Sequence, residues 1–226
     1  MYRPDSNFGI GNLFMQITQL DDKTPVSSNV YAGFRGKYLK FKNLNIVEDD
    51  GTYKDTVETP LYINQHYKQI HEKIKEKVEP TEEIIKYVDE HKHLLDGVKI
   101  GLAIRFGVEV EWDICDEHAK KTFEEIIKQT DGNVFVACDS FEYKLKLEKK
   151  FGSKVRFLRK ETVITQSINT NDKPNPYIEF FLLSMCPYIY LTGGPGGPNN
   201  FTLLSTFGYM AAIYGGKPFD VVWNRY

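Results

Sequence analysis

The feature that most constrains the fold of this chain is a regular alternation of apolar runs and amphipathic segments that begins near residue 97. Apolar runs predict strands at 98–104, 133–138, 154–158 and 188–192. Segments with helical periodicity predict helices at 116–129, 140–151 and 176–185, and a last helix that ends near 215–216. Because strands that alternate with helices at this spacing form parallel sheets, the sequence predicts an α/β fold with a doubly wound, Rossmann-like sheet in residues 97–226.

The first 96 residues follow a less regular pattern and predict a smaller α/β lobe. The expected elements are a helix at 12–20, one or two aromatic-rich strands in 30–41, a loop at 43–60, and two charged helices at 62–78 and 81–95 on either side of Pro80. We expect residues 1–96 and 97–226 to form two lobes with a cleft between them.

The charge balance argues against a general nucleic-acid-binding protein. With 29 Lys and Arg residues against 31 Asp and Glu residues, the formal net charge is −2, whereas such proteins carry a clear basic excess. One basic stretch runs from Lys144 to Lys160. It is typical of a solvated helix face with the loop that follows; the alternative is a patch that attracts an anionic substrate.

The three cysteines and the hydropathy pattern indicate a protein of a reducing compartment. Cys115, Cys138 and Cys186 are widely spaced, and two of them lie in apolar surroundings, so we expect free buried thiols and neither a disulfide framework nor a zinc site. The N-terminus resembles no signal peptide, and no apolar run is long enough to span a membrane. We therefore expect a cytoplasmic location, unless an anchor has been removed from the chain.

A first candidate binding turn lies near the N-terminus, where Gly9, Gly11 and Asn12 precede or begin a predicted helix. Small residues at a helix start let backbone N–H groups approach an anion, and the helix dipole favours negative charge there. An ordinary tight turn uses the same residues, so this motif alone is weak.

Two further candidates follow predicted strands, where ligands of doubly wound sheets bind. Arg105 follows the strand at 98–104 and could grip a phosphate. Its alternative is an ion pair with Glu109 or Glu111, and either carboxylate could also act as general base for an acceptor hydroxyl. Asp139 ends the strand at 133–138 and could cap the next helix or bind a ribose or base.

The last candidate is the glycine-rich segment between the strand at 188–192 and the final helix. Its hydroxyl and amide side chains form a nest suited to a diphosphate; they are Thr192, Asn199, Asn200, Thr202, Ser205 and Thr206. The alternative is a glycine-rich surface loop without a ligand.

In this order and spacing, the motifs resemble those of the fucosyltransferase superfamily, which has a GT-B-type nucleotide-sugar domain. Five segments carry the resemblance across nearly the whole chain: 9–17, 103–107, 134–140, 179–190 and 205–212. The resemblance implies an inverting transfer of fucose from GDP-fucose to a glycan or protein hydroxyl, without a metal or other cofactor. It implies a donor site made of Gly9, Gly11, Asn12, Arg105, Asp139, Ser140, Ser205, Thr206 and Phe207.

The chain departs from the family pattern at several positions. Ala103 stands where the family has His, and Val108 where it has Asp. Only eight residues precede Gly9, too few for the family's first strand, so the chain could be a fragment or a compact version. These departures keep three alternatives open: a degenerate, non-catalytic binder of nucleotide-sugar or glycan, a transferase with another nucleotide-sugar donor, and an unrelated protein that binds a phosphorylated metabolite.

Overall fold

The fold is described from a computed structural model, which describes residues 10–20, 22–31, 35–48, 67–106, 115–159, 175–194 and 204–224. The α-helices are α1 (Ile10–Ile17), α2 (Arg35–Tyr38), α3 (Tyr67–Lys77), α4 (Glu82–His91), α5 (Glu117–Gln129), α6 (Phe141–Phe151), α7 (Asn175–Met185) and α8 (Thr206–Gly215). The strands are β1 (Pro25–Ser27), β2 (Leu39–Phe41), β3 (Asn45–Val47), β4 (Val78–Pro80), β5 (Val98–Ile104), β6 (Asn133–Cys138), β7 (Val155–Arg156), β8 (Ile189–Gly193) and β9 (Phe219–Trp223).

The largest sheet has five parallel strands in the order β7-β6-β5-β8-β9. This arrangement confirms the predicted doubly wound α/β sheet in the second half of the chain. The order reverses at β5, the central strand, since the chain builds outward to β7 on one side and then crosses to β8 on the other. The carboxyl ends of β5, β6 and β8 therefore meet at one edge, where open α/β sheets bind ligands.

Helices cover both faces of this sheet, and each face has its own apolar core. On one face α5 and α6 pack on the sheet through buried residues such as Phe123 and Leu147. On the other face lie α7, α8 and α1, with Phe14, Phe180 and Met210 all fully buried. Because β5 is buried between the two cores, it reads in the sequence as a continuous apolar run.

The N-terminal half forms two small sheets and shares the second of these cores. Strands β1 and β3 pair in parallel, and β2 and β4 pair antiparallel. Val26, Leu39 and Ile84 belong to the same apolar cluster as Phe135 and Leu191 of the large sheet. The proposed boundary at 96/97 stays a prediction, although an apolar core runs across it.

The local predictions for the N-terminal half were confirmed in part. The segment 30–41 was expected to contain one or two strands, and one is found at its end, β2, after a 3-10 turn at Ser28–Tyr31 and the short α2; residues 32–34 lie outside the described part of the chain. The segment 43–60 was expected to be a loop, yet β3 lies within it; residues 49–60 are outside the described part of the chain.

Three other elements were missed or predicted too long. Strand β9, beyond the last predicted helix, was not anticipated. Strand β7 has two residues rather than five. The predicted helix at 62–78 ends at Lys77, and its residues 62–66 lie outside the described part.

The predicted end of the helix at 140–151 was confirmed. Gly152 follows α6 with a φ of 62°, a left-handed value that favours glycine at the end of a helix.

All three cysteine side chains are buried thiols, as expected. In the part of the chain that the structure describes, no helix is long and apolar enough to cross a membrane.

The basic stretch was expected to be a solvated helix face, and this holds only in part. Lys146, Lys149 and Lys150 are exposed, but Lys144 is fully buried, so the expectation was wrong at that position.

A substitution at Gly11 tests the contact between α1 and α8. A Cβ atom built on Gly11 would lie 2.5 Å from the carbonyl carbon and oxygen of Thr206 and 2.6 Å from the backbone nitrogen of Phe207. Because backbone atoms cannot rotate away, we expect Gly11→Ala to lower the free energy of unfolding by about 1–3 kcal/mol, despite the better helix propensity of Ala. Urea denaturation measures this, and an unchanged or higher stability would contradict the α1–α8 packing.

Candidate functional site

The candidate site is built at the carboxyl ends of β5, β6 and β8, and its parts are linked by hydrogen bonds to Thr192. The Thr192 side chain is fully buried near the end of β8. Its Oγ1 accepts a hydrogen bond from the backbone N–H of Arg105 at 3.1 Å and donates to the carbonyl oxygen of Ala103 at 3.3 Å. Its carbonyl oxygen accepts from the N–H of Ser205 at 2.9 Å. Thr192 therefore fixes the start of the Arg105 segment beside the start of α8.

This use of Thr192 differs from the sequence interpretation, which counted its hydroxyl among donors for a diphosphate. The hydroxyl proton is directed at the Ala103 carbonyl, so it holds two strand ends together instead of facing a ligand. The pattern of a Thr after an apolar run could not reveal this, because the carbonyl it contacts belongs to a strand almost ninety residues earlier in the chain.

Asp139 links the ends of β6 and β5. Its Oδ1 accepts a hydrogen bond of 2.8 Å from the backbone N–H of Phe106. The N-cap of α6 is Ser140, whose hydroxyl accepts from the N–H of Tyr143 at 3.2 Å. The cap of α6 is therefore Ser140, whereas Asp139, for which the sequence allowed that role, lies at the sheet edge with Arg105 and Phe106.

Helix α8 begins at this same edge because small residues allow a close approach. Ser205, only 2% exposed, is its N-cap and accepts from the N–H of Gly208 at 3.4 Å. A Cβ atom on Gly208 would overlap the Cβ of Ala103 and would lie 2.9 Å from the Cβ of Leu191. The helix start is thus seated directly on β5 and β8, which places Ser205 and Thr206 beside the end of β5.

Residue 103, where the fucosyltransferase-like motif would have His, is a tightly packed Ala in this chain. Ala103 is 2% exposed and lies in contact with Gly208 at the start of α8. An imidazole at this position would have to occupy the space of the helix backbone. The Ala103–Gly208 contact therefore excludes a catalytic His here, unless α8 moves.

The starts of α1 and α8 also touch each other, since Gly11 packs against Thr206 and Phe207. The first N–H groups of a helix lack acceptors within that helix, and its N-terminus carries a partial positive charge. Neither helix has an acidic residue in its first turn. Two positive helix ends in contact repel each other, and an anion bound beside both of them would relieve that repulsion.

Arg105 adds a full positive charge to this edge. Arg105 as a whole is half-buried, and its Nε atom is buried without a hydrogen-bond partner among the described residues. A buried N–H group without a partner is costly, so such a group in a native structure points to a missing acceptor. A phosphate oxygen would supply one.

The structure brings together most of the predicted site but not all of it. Arg105, Asp139, Ser140, Ser205 and Thr206 lie at the same edge of the sheet, and Gly11 contacts the start of α8. Asn12 is half-buried in the first turn of α1.

One predicted donor-binding residue uses its side chain elsewhere. The ring of Phe207 packs edge-on against Phe180, with centroids 5.6 Å apart, and so contributes to the apolar core. Gly9, Glu109 and Glu111 lie outside the described residues, as do Asn199, Asn200 and Thr202.

Two other chemistries find little support at this edge. Burial, and next the charge of Asp139, raise the pKa of the Cys138 thiol well above its usual value, so this thiol is protonated at neutral pH and is a poor nucleophile. Within the described residues, no group of three or more His, Cys, Asp and Glu side chains is arranged to hold a metal ion.

Compared with known proteins, the chain matches no protein-family model and no curated protein at a significant level. What the site binds must therefore be argued from its own residues.

Replacing Thr192 tests whether its hydroxyl holds the site together. Thr192→Val keeps the side-chain shape but leaves the Arg105 N–H and the Ala103 carbonyl without this partner. We expect the free energy of unfolding to fall by about 1–3 kcal/mol. Thr192→Ser is the control, since it keeps the hydroxyl and removes one methyl group. Equal stability of the two variants in urea denaturation would show that the two hydrogen bonds matter little.

Proposed function

We propose that the chain binds the diphosphate of a nucleotide-sugar at the carboxyl edge of its parallel sheet and acts as a glycosyltransferase of the fucosyltransferase type. Two observations carry the proposal: the first turns of α1 and α8 meet, and at the same edge of the sheet lies Arg105, whose Nε atom is buried without a hydrogen-bond partner among the described residues. Together they supply fixed partial positive charge and one full charge where a diphosphate would lie.

The motif order supports a nucleotide-sugar over other phosphorylated ligands. The described residues of the motif segments 9–17, 103–107, 134–140 and 205–212, far apart in sequence, contribute to one edge of the fold. In the proposed complex Asp139 and Ser140 lie on the nucleoside side, while Arg105, Ser205 and Thr206 contact the diphosphate. GDP-fucose is the donor that the resemblance implies.

The proposed reaction is a single displacement at the anomeric carbon. The acceptor hydroxyl oxygen forms a bond to that carbon on the face opposite the diphosphate, and the bond from carbon to the β-phosphate oxygen breaks. GDP leaves with the electron pair, and the hydroxyl proton passes to a carboxylate, for which Glu109 and Glu111 are the candidates. Arg105 and the first N–H groups of α8 stabilise the negative charge that develops on the leaving diphosphate.

Nucleotide binding measured by calorimetry tests the donor site. GDP, GDP-fucose, UDP and ADP are titrated without added metal, and we expect selective binding of the two guanine nucleotides. Arg105→Ala removes one charge-assisted contact with phosphate, so it should weaken GDP binding by about 10- to 100-fold.

The matched control is Arg159→Ala, which removes the same charge from an exposed ion pair with Glu148. It should bind GDP as the unmodified protein does. Equal losses in both variants would mean that the effect is general electrostatics, and no binding of any nucleotide by the unmodified protein would refute the proposed function.

A degenerate, non-catalytic binder is the second candidate, and the Ala103–Gly208 contact favours it. If the missing His is needed for departure of the leaving group, the chain would bind the donor without turning it over. We expect release of GDP from GDP-fucose in the presence of a mixed glycan acceptor panel if the chain is a transferase. Tight GDP-fucose binding with no GDP release, with or without acceptors, would identify the binder.

A further inference from the structure

An ion pair that is buried on both sides lies next to the proposed donor site. The Nζ atom of Lys144 is 2.5 Å from Oε1 of Glu179, and neither side chain has any exposed surface. In each of the other ion pairs found between described residues, at least one side chain is exposed. The pair is therefore unusual within the described part of this molecule.

The pair joins two helices that lie on opposite faces of the sheet. Lys144 belongs to the first turn of α6, and its N–H donates to the carbonyl of Ser140 at 3.2 Å. Glu179 belongs to α7, whose buried residues are part of the core on the other face. Lys144 lies one helical turn after Ser140, which is two residues beyond the end of β6, so the pair lies close to the carboxyl end of that strand.

Stability alone gives little reason to keep such a pair. Moving a carboxylate and an ammonium group out of water costs several kcal/mol for each, and the attraction between them repays this only when the geometry is good. Replacing a buried ion pair by apolar residues of similar volume is often neutral or stabilising. What the pair does add is a geometric restraint. A short contact between α6 and α7 allows only one position of the first turn of α6.

We propose that Lys144 and Glu179 are positioning residues that hold Asp139 and Ser140 in place at the edge of the sheet. Asp139 precedes the first turn of α6 and accepts a hydrogen bond from the N–H of Phe106. If α6 shifts, the Asp139 carboxylate moves away from Phe106 and the nucleoside side of the site loses its shape. The connection to ligand affinity rests on the proposed function, whereas the connection to Asp139 does not.

The test uses the double variant Lys144→Met/Glu179→Leu, in which an apolar pair replaces the ion pair. We expect its melting temperature to stay near that of the unmodified protein. Hydrogen–deuterium exchange without ligand should show the Phe106 amide exchanging about 10-fold faster. Calorimetry should show GDP binding about 10-fold more weakly, since misplacement of a contact group by about 1 Å can cost up to about 100-fold.

The matched control is Lys150→Met/Glu124→Leu, which removes an ion pair that joins the last turn of α6 to α5. This control should change neither Phe106 exchange nor GDP affinity. Unchanged Phe106 exchange in a folded Lys144→Met/Glu179→Leu protein would overturn the proposal, whatever its GDP affinity.

The experiment also covers a double variant that does not fold and an unmodified protein that binds no nucleotide. If the double variant does not fold, Glu179→Asp serves instead, because it keeps both charges and withdraws the carboxylate by one methylene; unchanged Phe106 exchange in that variant overturns the proposal. If the unmodified protein binds no nucleotide, the proposed function fails, and Phe106 exchange still decides whether the ion pair positions Asp139.

Discussion

The close contact of α8 with the sheet is the constraint on which the rest of the site depends. Gly208 seats the first turn of α8 on Ala103 and Leu191, and Gly11 seats α1 on the same turn of α8. Side chains at these positions would push both helices away from the carboxyl ends of β5 and β8. Without that contact, Ser205 and Thr206 would not lie beside Arg105, and two helix N-termini would not converge at one point.

This packing has an electrostatic consequence that links the fold to the proposed function. Two helix starts in contact, with the half-buried Arg105 at the same edge of the sheet, place positive charges close together, which costs free energy. For the diphosphate that we propose as ligand, this arrangement is pre-organised, because its groups would not need to reorient on binding. The convergence of positive charges therefore both costs free energy in the folded chain and underlies the proposed affinity for an anion.

The site also shows how far motifs can be used when single residues differ. Described residues of four of the five motif segments lie at or beside the carboxyl edge of the sheet. The individual roles were less secure: Thr192 joins strand ends, the Phe207 ring packs against the core, and Ser140 caps α6, a role that the sequence also allowed for Asp139. A side chain of the right type near a strand end can meet a ligand or a backbone group equally well, and the choice depends on partners distant in sequence.

The sequence by itself determined the parallel sheet, because apolar runs and helical periodicity from residue 97 onward are local signals that leave few topologies open. It also determined that Arg105, Asp139 and Ser205 would lie at the carboxyl edge, since each follows a strand or begins a helix. Only the tertiary structure decided which polar groups face one another. The sequence placed Lys144 on a solvated basic face, whereas in the structure it is buried in an ion pair with Glu179, thirty-five residues later. The short strands β1 to β4 likewise depend on partners that no local pattern announces.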